Sequence, residues 1–417
     1  MSPLGVVVLI VLIDLLGFSI VMPLLAPFAK QYGLSGGQIG ILFAAYPMCQ
    51  LIAGPILGRL SDRYGRRPVL IVSQAGTALS FVILGFSSNF TVMLIGRVLD
   101  GLSGGNILVA QAYVADVTKP ENRARGMGLI GMAFGLGFVL GPILGGLLLE
   151  LPFISPAWRL HFPFVVAAIF STLAWVLVLT RLPESLPREV EARQAARVVS
   201  WRGIAQTVAL PGIGRLVLLG ALVVLGFAAL EGTFSLFLRE RLGWEARGAA
   251  FGFAYLGFVS ALIQGGLIRR LVPRFGEFPL ILAGVFTLVL GFLAMTQVVS
   301  LASFLGATFL VGVGQGLASP TISGLLSRRT SPQEQGAIFG VLSAAQTLAR
   351  LTNYLIANLL LEHQGPAAPF WEAAAIAAIA LILALGVGRS LRRTGSSPGS
   401  VESVAAAAGS HAKVDEV

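Results

Sequence analysis

The chain has 417 residues, of which 56% are hydrophobic and 12% charged, and it contains 51 glycines. A soluble protein uses about a quarter of its residues as charged groups to cover its surface, so a soluble enzyme, a secreted disulfide scaffold and a disordered regulator are excluded. The net charge of +10 is divided into short basic clusters between apolar stretches, which argues against a nucleic-acid partner and for a topology signal. The mean hydropathy of +0.85 is typical of a polytopic membrane protein.

Twelve apolar segments are long enough to cross a bilayer, since about 20 residues of helix span roughly 30 Å of hydrocarbon. Six precede a polar stretch and six follow it. We number them spans 1 to 12, at 4–29, 39–60, 69–88, 90–115, 124–150, 160–181, 212–238, 247–270, 278–298, 300–326, 336–361 and 369–389.

The span pattern predicts an all-α membrane protein of two pseudo-symmetric six-helix bundles. An internal repeat supports the division, because Gly54 to Leu70 can be laid over Gly265 to Ile281 with Gly65 on Gly276. The expected organisation is an N-terminal bundle at 1–181, a cytoplasmic linker at 182–211, a C-terminal bundle at 212–389 and a disordered cytoplasmic tail at 390–417.

The basic residues predict the orientation of the chain. With a cytoplasmic N-terminus, twenty-two Lys and Arg fall in inside segments and five in outside segments. Both termini are therefore expected in the cytoplasm, in a plasma membrane such as the bacterial inner membrane. Span 1 is not read as a signal peptide, because Asp14 interrupts the apolar stretch and no basic region precedes it.

Four stretches carry the pattern of a known family. The loop after span 2, with Gly58, Asp62, Arg63, Gly65, Arg66 and Arg67, resembles the signature of the major facilitator superfamily. Two stretches resemble signatures of its twelve-span drug:proton antiporter branch: Arg97 with Gly101 and Gly104 in span 4, and Gly135 to Gly146 in span 5. The stretch from Asp14 to Pro27 in span 1 is similar to the tetracycline/proton antiporters. The resemblance implies a secondary transporter.

Two of these stretches are candidate gating elements. In the family, the acid equivalent to Asp62 contacts span 11 of the other bundle, so the resemblance implies a latch on the cytoplasmic side; the alternative is that the loop only sets topology. In span 5, Gly137, Gly141 and Gly145 form a small-residue face and Pro142 can bend the helix. That face serves either fixed helix packing or a mobile contact between the bundles.

Charged residues inside spans are candidates for proton coupling, because each acid costs roughly 2.5 to 3.5 kcal/mol at the bilayer centre. They are Asp14, Asp100, Glu231, Arg97 and Arg350, which sum to minus one. A cavity of that charge is neutralised by one proton or one cationic substrate, the competition that an antiporter requires.

The coupling candidates have competing interpretations. Asp14 has no basic neighbour in its own helix, so it is the first choice for the proton carrier; the alternative is a hydrogen bond between helices. Asp100 lies three residues after Arg97, which favours the ionised form, and the two form either a static pair or a coupled one. Glu231 lies in the outer part of span 7 and is either a coupling acid or a polar group at the mouth.

Polar and aromatic side chains in the spans supply the candidate substrate site. Gln346, Arg350 and Asn353 follow i, i+4, i+7 spacing in span 11 and form one polar stripe, which is expected to face the bundle interior. The other candidates are Asn106, Gln111, Phe234 and Gln264. Aromatic rings here suit an amphiphilic ligand.

The sequence thus predicts proton-coupled efflux of an amphiphilic, drug-like compound by alternating access, with tetracycline-like compounds among the candidates. No cofactor beyond the proton gradient is expected, since no G-x-x-x-x-G-K-[ST] motif occurs, and Cys49 alone offers no metal site. An enzyme is disfavoured because no nucleophile and base stand at a workable spacing. Uptake of a metabolite such as a sugar, and a receptor or scaffold without transport, remain alternatives; a monomer in lipid is expected.

Overall fold

The structure is a computed structural model that describes residues 2–119, 122–185, 212–330 and 335–393. These residues form helices and connecting turns, without a β-strand among them. Among the described residues, twelve long helices correspond to the twelve predicted spans, and each helix carries the number of its span. They are α1 Pro3–Val21, α2 Gly36–Tyr64, α3 Arg66–Gly85, α4 Phe90–Val117, α5 Arg123–Leu148, α6 Phe162–Arg181, α7 Ile213–Leu242, α8 Ala246–Phe275, α9 Glu277–Thr296, α10 Leu301–Arg328, α11 Gln335–Gln364 and α12 Ala368–Arg393.

Eleven of the twelve described helices have the length and apolar composition of a membrane span. The exception is α11, which has 30 residues but carries the polar stripe of Gln346, Arg350 and Asn353. Asn353 is fully buried, so this stripe faces protein. The predicted all-α fold with twelve spans is confirmed. The polar side chains of α11 are accommodated because neighbouring helices, and not lipid, surround them.

The internal repeat has a matching backbone. Gly65 and Gly276 both have positive φ, +97° and +78°, and each directly precedes the first residue of a helix. Two features favour glycine at position 65. Its backbone conformation is one that glycine adopts readily, and a Cβ would lie 2.9 Å from the carboxyl carbon of Glu184, whose side chain would have to move. The same turn therefore redirects the chain into the third helix of each half.

Two spans are irregular. In α4 the helix is interrupted by a turn at Gly104 and Gly105, where α4 packs against Tyr46 and Leu57 of α2. In α8 a π-helical turn covers Ile263–Leu267. Such turns occur preferentially at functional sites, and this one contains Gln264.

The two halves touch at one end of the molecule. Both ends of the described chain, Ser2 and Arg393, lie on what we call the terminal side, and the opposite end is the far side. At the far side the start of α2 packs against the end of α11, and the end of α5 packs against the start of α8. The predicted linker and tail lie outside the described residues at 186–211 and 394–417.

Candidate functional site

A cavity of about 1080 Å³ lies between the halves. Its walls are mainly α5 and α8; α7 contributes Phe227 and Glu231, and α1, α10 and α11 contribute one residue each. Arg125 and Arg269, at the terminal-side ends of α5 and α8, line its mouth. Gly128, Gly131 and Gly135 face open space there, so the cavity opens to the terminal side.

The far side of the cavity is closed by direct contacts between the halves. The backbone N–H of Gly36 donates to Glu362 over 2.8 Å, and the Ser235 hydroxyl donates to the carbonyl of Pro23 over 2.6 Å. A Cβ at Gly257 would lie 2.8 Å from the carbonyl oxygen of Phe138. Backbones meet this closely only where small residues allow it.

Glu231 and Arg350 form an ion pair on the cavity wall. Arg350 Nε lies 3.0 Å from Glu231 Oε2, and the same oxygen accepts a hydrogen bond of 2.9 Å from the Tyr354 hydroxyl. The side chains of Glu231 and Arg350 are 14% and 36% exposed. Glu231 Oε1 has no hydrogen-bond partner within the described parts of the chain, so one oxygen of this carboxylate is available to the cavity.

Asp14 lies in a separate polar cluster inside the N-terminal half. Its Oδ2 accepts a hydrogen bond of 2.8 Å from Asn106, whose amide also donates to Gln74 over 2.9 Å. Asp14 is 7% exposed, and its Oδ1 is buried without a partner in the described residues. The hydrogen bond between helices is therefore observed, and Asp14 does not line the cavity.

Arg97 and Asp100 form a buried pair of 3.1 Å. Arg97 also donates to the carbonyl of Leu42 over 3.1 Å and lies over the ring of Tyr46. Both members of the pair are 2% exposed. In this conformation the geometry is that of the static pair, held by α2 and remote from the cavity surface.

The candidate substrate residues are divided by the structure. Gln264 lines the cavity. Asn106 belongs to the Asp14 cluster, Asn353 donates to the carbonyl of Leu225 over 2.6 Å, and Phe234 is fully buried against Phe253. Gln111 and Gln346 are half-buried but do not line the cavity.

The sequence predicts a cavity with a net charge near minus one. For the described residues that line the cavity, this prediction is wrong. Within the described ranges, three arginines and one glutamate line it: Arg125, Arg269, Arg350 and Glu231. The three other charged candidates are buried inside the N-terminal half, because α1 and α4 turn those side chains toward α2 and α3. The ion pair of Glu231 and Arg350 has no net charge.

Aromatic side chains form much of the remaining wall. Phe134 and Phe138 of α5 stack with ring centroids 6.4 Å apart, and Phe227, Phe253 and Phe258 line the cavity from α7 and α8. The cavity therefore combines an extended aromatic surface with one ion pair, an arrangement that suits an amphiphilic ligand.

The segment from Asp62 to Arg67, where α2 ends and α3 begins, is held by ion pairs within the N-terminal half. Asp62 lies 2.5 Å from Arg66, which also lies 3.0 Å from Asp116. The backbone N–H groups of Arg66 and Arg67 donate to Glu184. Arg63 lies over the ring of Tyr64.

Among the described residues, Asp62 pairs with Arg66 and makes no ion pair or hydrogen bond with α11, so the predicted latch is not formed between them in this conformation. Gly58 in α2 and both Gly336 and Gly340 in α11 have open space where a Cβ would stand. The terminal-side ends of α2 and α11 are apart because the cavity opens between the halves there. The latch remains a prediction for a conformation closed on this side.

The small-residue face of α5 packs within the N-terminal half. Added Cβ atoms at Gly137 and Gly141 would lie 2.9 Å from Leu15 Cβ and 2.8 Å from Ser19 Cβ of α1, and one at Gly145 would lie 3.2 Å from the carbonyl of Ile20. Pro142 lies inside an uninterrupted helix and lines the cavity. The packing interpretation holds in this conformation.

Sequence reasoning missed two residues. Tyr354 follows Arg350 by four positions, so extending the polar stripe by one turn would have found it. Glu372 in α12 is a further acid inside a span, and its Oε2 is buried without a partner among the described residues; a search of span 12 for acids would have shown it.

Comparison with known proteins agrees with this architecture. A family model described as Major Facilitator Superfamily matches residues 7–351 and 274–411. The tetracycline resistance protein of class C from Escherichia coli is 32% identical over 84% of this chain and 87% of its own length. That of class B, also from Escherichia coli, is 29% identical over 88% and 90%.

A solved structure has the same fold. The crystal structure of the human organic anion transporter MFSD10 (TETRAN) superposes with a TM-score of 0.67 at 27% identity, covering 91% of this chain and 98% of that one. The chain belongs to the major facilitator superfamily. It is accordingly a multi-pass membrane transporter that binds a small-molecule substrate.

Proposed function

We propose that this transporter exports an amphiphilic, drug-like compound in exchange for protons. The observation that carries the proposal is the Glu231 carboxylate, the one acid among the described residues that line the cavity. Its free Oε1 can accept a cationic or hydrogen-bonding group of a substrate, or a proton. Occupation by either excludes the other, and that exclusion is what couples two fluxes in opposite directions.

Alternating access supplies the movement. The cavity opens to the terminal side and is closed at the far side, and basic residues favour a cytoplasmic terminal side. In this orientation the observed conformation receives substrate from the cytoplasm. Rocking of the two halves about the cavity then exposes the site outside, where a proton replaces the substrate.

Asp14 is proposed as a second coupling acid. Its buried Oδ1 has no hydrogen-bond partner among the described residues, so this oxygen can take up a proton. Asp14 lies away from the cavity surface, so its role concerns the proton and not substrate contact. Arg97 and Asp100 hold α4 against α2 and stabilise the helix that carries Asn106.

Tetracycline is the first compound to test, because relatives covering most of the chain are tetracycline resistance proteins. The human relative is an organic anion transporter, so anionic, zwitterionic and cationic amphiphiles belong in the same panel. A bacterial inner-membrane location, a monomeric state and both termini in the cytoplasm complete the proposal.

Proton flux in inverted membrane vesicles tests the function. A pH gradient is imposed, and each compound is added at several concentrations. Antiport predicts that a substrate discharges the gradient in vesicles with the protein and not in vesicles without it. Absence of any substrate-induced flux across the panel, with protein present and folded, contradicts it. Metabolite uptake instead predicts flux with sugars and none with amphiphiles.

A further inference from the structure

Tyr354 contacts both the cavity acid and the opposite half of the protein. Its hydroxyl donates to Glu231 Oε2 over 2.9 Å, and its ring centroid lies 5.4 Å from that of Phe43 in α2. The side chain is 2% exposed. A single residue of α11 thus reaches from the exchange site to the far-side contact.

The helices α2 and α11 are in close contact at this residue. A Cβ at Gly40 would lie 2.7 Å from the carbonyl oxygen of Tyr354 and 3.1 Å from the Cα of Leu355. One turn further along α11, Asn358 donates its side-chain N–H to the same carbonyl over 2.8 Å. Tyr354 is therefore one of the residues on which α2 packs against α11.

We propose that Tyr354 is a positioning residue that keeps the far side closed while Glu231 is unoccupied. The proposal rests on the proposed function, since it takes Glu231 as the exchange group. A hydrogen bond to an ionised acceptor is roughly twice as strong as one between neutral groups. The ionised Glu231, paired with Arg350, holds the Tyr354 hydroxyl in place. It thereby stabilises the part of α11 on which α2 packs.

Occupation of Glu231 weakens that anchor. A proton or a substrate cation neutralises the carboxylate, and the Tyr354 hydroxyl is then held less firmly. The far side can open in the loaded protein and stays shut in the empty one. An exchanger needs this restriction, because an empty protein that changes conformation would allow one flux without the other.

Spin-label distances across the far side test the link. Cysteines replace Lys30 and Gln364, both exposed on the far side of opposite halves, in a Cys49→Ser background. Without substrate we expect one closed distance population in the parent protein. Tyr354→Phe, which keeps the ring against Phe43, adds a longer population, and Glu231→Gln does the same.

The double variant decides whether the two residues act together. If Tyr354 acts through Glu231, Tyr354→Phe with Glu231→Gln opens the far side no more than either change alone. Additive opening overturns the proposal, and so does a Tyr354→Phe protein that keeps the closed population while Glu231→Gln opens.

A control and a second readout complete the test. Tyr113→Phe removes a matched hydroxyl bond, 2.9 Å to the carbonyl of Pro183, within one half, and is expected to change no far-side distance. Size-exclusion chromatography checks that each variant is folded. The distances are measured without any proton flux, so failure of the antiport assay alone counts against the proposed function and leaves this link standing.

Discussion

Arg66 and Glu277 occupy equivalent positions in the two halves and carry opposite charges. Each is the first residue of a third helix, directly after a glycine with positive φ. Arg66 pairs with Asp116 at the end of α4 over 3.0 Å, and Glu277 pairs with Arg328 at the end of α10 over 2.8 Å. Both halves use the same ion-pair connection with reversed polarity.

The two connections are expected to differ in strength. The Arg66 side chain is 9% exposed and that of Arg328 is 68% exposed. Removing Arg66 leaves Asp62 and Asp116 unpaired, so we expect Arg66→Gln to cost about 2 kcal/mol of unfolding free energy. Glu277→Gln releases Arg328, which water can solvate, and should cost less than about 1 kcal/mol. Denaturant unfolding in detergent measures both, and equal losses would show that burial does not decide the difference.

Glu231→Gln should impair substrate binding and proton flux together. The amide keeps the shape of the side chain but loses the charge that pairs with Arg350 and faces the substrate. Charged hydrogen bonds contribute about 1.5 to 3 kcal/mol, so affinity should fall roughly tenfold, and substrate-induced proton flux should disappear. Equilibrium binding and vesicle flux are measured on the same preparation, with Glu277→Gln as a matched control because Glu277 pairs with Arg328 within the C-terminal half and outside the cavity. Flux at the parental rate in Glu231→Gln would exclude the residue from coupling.

Asp14→Asn should separate binding from coupling. An asparagine oxygen at this position can still accept the hydrogen bond from Asn106, so the helices should remain packed. Because Asp14 does not contact the cavity, substrate affinity should stay within about twofold, while proton flux is lost. A variant that retains parental proton flux would assign Asp14 to helix packing alone.

Gly40→Val should disturb far-side closure. Its Cβ would lie 2.7 Å from the carbonyl oxygen of Tyr354, a backbone atom that can move only with its helix. Gly37→Val is the matched control, since its Cβ would lie 3.4 Å from a flexible methyl group of Leu359. Spin-label distances between α2 and α11 should lengthen in Gly40→Val only. Closed distances in both variants would mean that α2 tolerates a side chain at this contact.

Asp62→Asn should leave folding intact and weaken closure of the terminal side. Asp62 is 45% exposed and pairs with Arg66 in the present conformation, so its loss costs little here. A cysteine at Gly340, which faces open space, reports closure through its rate of maleimide labelling in the presence of substrate. Faster labelling and slower transport are expected in Asp62→Asn than in the Arg59→Gln control, and parental transport would refute the latch.

The sequence was sufficient for the architecture. Apolar length predicted the helices, and the repeat around Gly65 and Gly276 predicted the two halves. The same apolar length predicted span 11, and the i, i+4, i+7 spacing predicted the polar stripe of α11, whose composition falls short of a membrane span. These features depend on local periodicity and on bilayer thickness, which a single sequence contains.

The arrangement of the site was less predictable. Asp14 and Glu231 are both acids inside apolar spans, yet only Glu231 lines the cavity. Which face of a helix borders the cavity depends on its rotation within the bundle, and packing against distant helices sets that rotation. The same limit applies to Asp62, whose partner changes with the conformation of the whole protein.

Proton release on substrate binding tests the central claim most directly. Purified protein in weakly buffered detergent solution is mixed with a substrate identified in the vesicle assay, and a pH-sensitive dye records the change. Competition for Glu231 predicts release of up to about one proton per substrate bound, and no release from Glu231→Gln. Proton uptake by the parent protein, or binding without any proton change at any pH, would contradict exchange at this carboxylate.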